Sequence, residues 1–315
     1  MTNAVQNRRA AFALTLARLY GYGNNAVNAL LGKLQETPPD IESVRAHLTS
    51  AGLDHNGFTE GEFALSESIL SRTERYDIRF FVYGDPDYPL TLSQIPRAPT
   101  MLFVRGRWME ASLPGIAIVG SREATANGKI IAQRLARHFG GLGWPIVSGL
   151  ALGIDAAAHE GALASNAYTI CVLAHGLHKA SPKANAALAD RILDCGGAWA
   201  SEYPPGVEPR KEQFVARNRI QSGLSAGSII VEGARSSGTM TQAQYSLGQR
   251  RKLFAVVPME PGNPLKLNCE GPTSLVESGQ AAPVRSTADY PRVLEQMELS
   301  RARLAAIGRG VKQFD

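Results

Sequence analysis

Within one short segment, Lys211, Phe214, Arg217, Asn218 and Arg219 combine the groups that can hold a single nucleic-acid strand. Cations neutralise phosphates, an aromatic face stacks on a base, and a carboxamide reads a base edge or holds a sugar. The same composition also describes a solvated charged helix face with Phe214 turned into the core. Glycine-bearing segments elsewhere bear on the choice: Gly120-Ser121-Arg122, Ser148-Gly149 running on to Asp155, His175-Gly176, Glu202 to Gly206, and Glu232 running on to Gly238-Thr239. Their small residues remove bulk and offer backbone amides at helix N-termini, which is how α/β proteins hold phosphate. Arg122 adds a fork of donors. A tight strand-to-helix turn explains any one of these loops, whereas several converging loops favour a binding site.

Other chemistries lack their residues. The segment from Gly120 to Gly128 is not a G-x-G-x-x-G fingerprint, and no Walker lysine motif occurs, so NAD, FAD and ATP hydrolysis lose support. Asp155 and His159 fall one turn apart at a helix start, where Asp155 is expected to cap amides or orient a loop rather than act as a base. His175 and His178 receive no role. Cys171, Cys195 and Cys269 have no metal-ligand spacing, and Cys171 reads as a small core residue. Neither a metal nor a cofactor is expected, and no catalytic residue is assigned.

These segments require strands that end where they begin. Apolar runs predict strands at Ile116 to Val119, Pro145 to Ser148, Thr169 to Ala174, Ala198 to Glu202, Ser228 to Val231 and Leu253 to Val257. Amphipathic stretches predict helices between them at Gly128 to Leu142, Ile154 to Ser165, Ala184 to Asp194, Gln213 to Leu224 and Thr239 to Arg250. Alternation of this kind builds a doubly wound, mainly parallel sheet, whose ligand crevice lies beyond the carboxyl ends of its strands. Ahead of it, helices are predicted at Ala10 to Tyr20, Asn25 to Leu34, Ile41 to Ser50 and Thr59 to Arg75. The glycine turn from Leu19 to Asn25 reads as a tight helix connection, or as a helix-hairpin-helix-like or SAM-like module that grips nucleic-acid backbone. Strands at Ile78 to Gly84 and Met101 to Val104 flank a proline-rich bridge. The expected organisation is a helical domain at 1–75, lead-in strands and linker at 76–110, a doubly wound α/β domain at 111–285, and a helical tail at 286–315. That tail, with a helix from about Arg292 to Ile307, is too short for another independent core.

The chain has 315 residues, 44% hydrophobic and 19% charged, the make-up of an ordinary globular protein. A net charge of +5 agrees with a polyanionic partner without requiring one. No stretch reaches the length of a membrane span, and no signal core opens the sequence, so a cytoplasmic location and no membrane partner are expected.

The region from Ile116 to Gly279 resembles the DprA (Smf) family of DNA-processing proteins. Gly115 to Arg122, Val147 to His159, Ser201 to Gly206, Phe214 to Ile220, Ser237 to Thr241 and Phe254 to Pro258 occur in the family's order, Asn268 extends the match, and Asp87 to Pro89 with Ile95 to Gly106 resembles its lead-in segment. The resemblance implies that 111–285 is an extended Rossmann-like DNA-binding domain that dimerises, binds single-stranded DNA in a basic pocket and helps load RecA during recombination or natural transformation. It implies DNA contacts by Arg122, Lys211 and Phe214, with Arg217 and Asn218 at the family's arginine-asparagine pair and Ser148, Gly149, Gly238 and Thr239 lining the crevice. Leu152 stands where an arginine is common, Ser181-Pro182 replaces tyrosine-proline, Pro258-Met259 replaces proline-glycine, and the tail lacks the length of the winged helix that many relatives carry. The fold is also similar to that of lysine-decarboxylase-like phosphoribohydrolases, but Thr239 is followed by Met240-Thr-Gln-Ala243, without their glutamate. A nucleotide-sensing module on the same fold is the remaining alternative.

Overall fold

The structure, a computed structural model, describes residues 3–33, 41–54, 56–109, 113–260 and 262–308. Helices α1 (Asn3–Tyr20), α2 (Asn25–Lys33), α3 (Ile41–Ser50) and α4 (Glu60–Arg75) come first. Leu34, the predicted end of the second helix, and the last residues of the tail lie outside the described residues. Thr59 starts α4 by accepting a hydrogen bond from the Glu62 amide, satisfying one of the free donors of the first turn. Phe12 packs between Phe58 and Phe63, and the same core continues through Met101, Phe103 and Trp199. The N-terminal helices therefore share apolar packing with the sheet.

Strands β1 (Ile78–Val82), β2 (Met101–Gly106), β3 (Gly115–Val119), β4 (Ile146–Ser148), β5 (Thr169–Val172), β6 (Ala198–Ser201), β7 (Ser225–Ile230), β8 (Lys252–Val256) and β9 (Ala282–Val284) follow. They form a nine-stranded sheet in the order β1-β2-β6-β5-β4-β3-β7-β8-β9. From β6 to β9 neighbouring strands run parallel, while β1 and β2 join antiparallel at one edge. Every residue of β3 and β7 is buried, as expected of central strands covered on both faces. Between the strands run α5 (Leu90–Ser93), α6 (Ala126–Gly141), α7 (Ile154–Leu163), α8 (Ala186–Asp194), α9 (Lys211–Gly223), α10 (Gly238–Gly248) and α11 (Glu270–Glu277). The chain is thus an α/β protein with an extended Rossmann-like, doubly wound sheet and a helical N-terminal region. The proline-rich bridge is ordered: Tyr88 is buried and donates its hydroxyl proton to Pro99 O at 2.7 Å.

The described part of the tail is a docked helix, α12 (Tyr290–Gly308). Val293, Met297 and Leu304 are buried, the Ser300 hydroxyl donates to Ala226 O of β7, and Arg301 lies 3.4 Å above the Trp144 ring. The order of strands matters most for the site. From β3 the chain steps outward through β4, β5 and β6, then returns along α9 to insert β7 on the other side of β3. The reversal between β3 and β7 is the topological switch point, where the loops at the carboxyl ends splay apart.

Candidate nucleic-acid interface

A crevice of about 640 Å³ opens at that switch point, lined by Gly120, Ser121 and Arg122 after β3, by Lys211, Phe214, Arg217 and Asn218 of α9, and by Gly238 and Thr239 at the start of α10. The Arg122 guanidinium sits over the Phe214 ring, 5.3 Å from its centroid, so cation and aromatic face form one platform. Lys211 is exposed at the rim, and Asn218 reaches across to donate to Gly238 O at 3.3 Å, tying α9 to α10. Phosphate, base and sugar would each meet a suitable group within this one opening.

The floor carries buried charge. Arg217 is 5% exposed and donates from Nη1 to Val172 O at the end of β5. Burial lowers its pKa, with the nearby Asp155 carboxylate opposing the shift and Arg122 adding to it. Burial in turn raises the pKa of Asp155, opposed chiefly by the charge of Arg217. Asp155 accepts a hydrogen bond from the Gly149 amide at 3.1 Å, so it orients the loop after β4, as its position at a helix start implies. His159 is fully buried, bonded through Nδ1 to Thr169 Oγ1 at 2.8 Å, and burial pushes its pKa down to about 3. It is a neutral core histidine.

Close approaches hold the loops in place. Glu232, fully buried, accepts from the Thr125 amide and hydroxyl and from the Asn268 amide, at 2.9, 2.8 and 3.0 Å. Its backbone carbonyl accepts from the Ser121 amide, so one residue ties the loop after β3, the loop after β7 and the approach to α11. Gly153, at φ +79°, lies where a Cβ would come within 2.2 Å of Ser121 O. At Gly238 an added Cβ would meet nothing within 4 Å. The glycines divide accordingly into those that let loops pack and one that leaves the crevice mouth open.

The structure gathers Gly120, Ser121, Arg122, Lys211, Phe214, Arg217, Asn218, Gly238 and Thr239 around one opening. Three expected members fall elsewhere. Arg219 is 1% exposed, pairs with buried Glu202, and its guanidinium packs against Gly23 of the turn between α1 and α2. Successive helical residues turn by about 100°, so a position two beyond Arg217 faces away from the opening. Ser148 is fully buried and donates to Ile118 O at 2.7 Å, joining β4 to β3. Gly149 packs against the Arg217 guanidinium, where a Cβ would come within 1.6 Å of Nη1, so it supports the floor instead of lining the opening. Gln221 and Gln242 line the crevice and were not singled out from the sequence. Their spacing carried the signal, because Lys211, Phe214, Asn218 and Gln221 recur at helical intervals and Gln242 lies one turn beyond Gly238 and Thr239. The turn holding Gly23 is occupied by Arg219 and Arg97 O, which makes it a close helix connection.

The sequence matches the family model of DNA recombination-mediator protein A over residues 79–295. This chain belongs to that family. It is 36% identical over 248 residues to DNA processing protein DprA of Bacillus subtilis, covering 78% of this chain and 81% of that protein. It is 40% identical over 243 residues to protein Smf of Escherichia coli, covering 75% of this chain but 64% of the relative. The structure of DprA from Streptococcus pneumoniae superposes with a TM-score of 0.72 at 30% identity, covering 90% of this chain and 94% of that one. DNA processing protein A from Helicobacter pylori, whose structure was described for its single-stranded DNA binding mode, gives 0.61 at 28% identity, covering 70% and 97%. The recombination-mediator fold thus spans the sheet and its crevice. Among the described residues no helix is long and apolar enough to cross a membrane, and no group of His, Cys, Asp and Glu side chains is placed to hold a metal ion.

Proposed function

We propose that this recombination mediator binds single-stranded DNA in the switch-point crevice and presents the strand to a RecA recombinase, in the cytoplasm and as a homodimer. The observation that carries the DNA reading is the Arg122–Phe214 platform, flanked by Lys211, Asn218 and the open backbone at Gly238. A stacked base and its two neighbouring phosphates need that set of groups. The single-stranded DNA binding mode described for the Helicobacter pylori relative supports the same reading. The RecA and dimer steps rest on family membership.

The role is non-catalytic. Of the crevice carboxylates, Asp155 is buried and engaged with the Gly149 amide, and Glu123 stands exposed at the rim. Past Thr239, where a hydrolase of similar fold needs its acid, the crevice presents Gln242. Fluorescence anisotropy of labelled oligo-dT at two salt concentrations, with duplex DNA and AMP as competitors, tests the proposal. Tight, salt-sensitive binding that neither competitor displaces is expected. Displacement by AMP would instead identify a nucleotide site.

A further inference from the structure

A second cavity, of about 450 Å³, lies at the opposite end of the sheet, under the amino ends of β8 and β9 and against α12. Its polar lining is Arg251, Lys252, Arg292, Gln280 and Gln296, with no carboxylate. Arg251 is only 5% exposed. Its Nη2 donates to Thr91 O at 2.9 Å and to Gly223 O at 3.4 Å, and its Nε has no partner. Arg292 donates from Nη2 to Pro283 O and pairs with Asp289 at 3.2 Å, whereas none of the ion pairs among the described residues includes Arg251 or Lys252. Burial, reinforced by the charge of Arg303, lowers Arg251 to about 10, which leaves it protonated at neutral pH.

A buried guanidinium with only carbonyl partners and a like charge nearby is costly unless an anion joins it. Two guanidinium groups, an ammonium group and two carboxamides around one cavity match a tetrahedral oxyanion. We infer that this cavity is a second anion site, which takes a phosphate group independently of the crevice. The crevice lies beyond the carboxyl ends of the parallel strands and this cavity under the amino ends of two of them, about a strand length (on the order of 17 Å for five residues) apart, so one mononucleotide cannot occupy both. The phosphate belongs either to a continuing DNA strand or to a free nucleotide.

Calorimetric titration of the full chain with inorganic pyrophosphate tests the site. Lys252 and Arg292 are exposed, so Lys252→Ala combined with Arg292→Ala is expected to fold, which its melting temperature checks. The double variant should lose pyrophosphate affinity for this cavity, read from protection at 251–254, at least tenfold, whereas Lys211→Ala in the crevice should retain that protection. Pyrophosphate should also slow hydrogen exchange at 251–254 in the unaltered chain and not in the double variant. Long oligo-dT and AMP then separate the two sources. A strand reaching the cavity predicts that the double variant flattens the salt slope by about 1.4 units, from two lost phosphate contacts. A free nucleotide predicts that AMP binding falls tenfold with the oligo-dT slope unchanged. Unaltered pyrophosphate affinity for this cavity in the double variant would overturn the inference, whatever the crevice binds.

Discussion

Replacing Gly238 by alanine separates the two reasons for a glycine beside a crevice. At Gly238 the helix α10 begins, φ is not positive, and the added methyl would meet nothing within 4 Å. The folded chain should therefore gain about 0.4–1 kcal/mol through the reduced freedom of the unfolded state, a rise of roughly 1–3 °C in melting temperature. The same methyl would stand at the crevice mouth, between an approaching phosphate and the amides of the helix start. A charge-assisted hydrogen bond lost there costs about 1.5–3 kcal/mol, or roughly 10- to 150-fold in affinity for oligo-dT. Gly153→Ala supplies the contrast. Its methyl would lie 2.2 Å from Ser121 O and 2.7 Å from Arg122 O, at a backbone conformation confined to glycine. Strain of about 1–3 kcal/mol and weakening of the Ile154 amide bond to Ser121 O should lower the melting temperature together with the affinity. Anisotropy and calorimetry on both variants decide the matter. A Gly238→Ala protein that is stabilised yet binds oligo-dT as before would refute the idea that the strand passes this backbone.

Further outcomes test the rest of the site and its support. Arg122→Ala and Lys211→Ala should each weaken oligo-dT binding and flatten the salt slope by about 0.7 units, whereas Phe214→Ala should cost roughly 1–3 kcal/mol at any salt; equal salt dependence in all three would remove the stacking role. Breaking the buried Arg219–Glu202 pair by Arg219→Met alone should destabilise the fold by about 3–5 kcal/mol in denaturant titration, with much of the loss recovered when Glu202→Leu is added. The pKa of His159 is depressed from 6.5 to about 3. Its contribution is therefore fully present above pH 6.5 and is lost as pH falls toward 3, at up to about 1.4 kcal/mol per pH unit. A His159→Gln variant should show a shallower decline of melting temperature over that range.

How much of this was legible in the sequence depended on where each signal is encoded. Strands buried on both faces, such as Gly115–Val119 and, past its exposed first residue, Lys252–Val256, announce themselves as apolar runs, and their ends locate the loops that form the crevice. Strand β9 stayed hidden because Ala282–Val284 is short and centred on Pro283, a residue tolerated at a sheet edge but unlike a strand in isolation. Helix α11 was masked by Gly271 and Pro272 in its first turn, where proline fits a helix start without harm. Within α9, composition alone grouped Arg217 with Arg219, although helical angle sends one to the crevice and the other to Glu202. The roles of Ser148 and Gly149 depend on contacts with Ile118 and Arg217, far away in the chain, which no local pattern records.

The position of β7 between β3 and β8 sets an order of events during synthesis. When the ribosome has delivered β3 to β6, β3 has β4 on one side and open backbone donors and acceptors on the other. That edge, made of Gly115, Ile116, Ala117, Ile118 and Val119, is an apolar template for another chain until Ser225–Ile230 emerges and pairs with it. A ribosome stalled before Ser225 would thus hold a nascent chain prone to edge-to-edge association and without a crevice, since α10 has yet to be made. The proposed capacity to grip a strand would appear late in translation, once β7 has filled the central gap in the sheet and α10 has followed it.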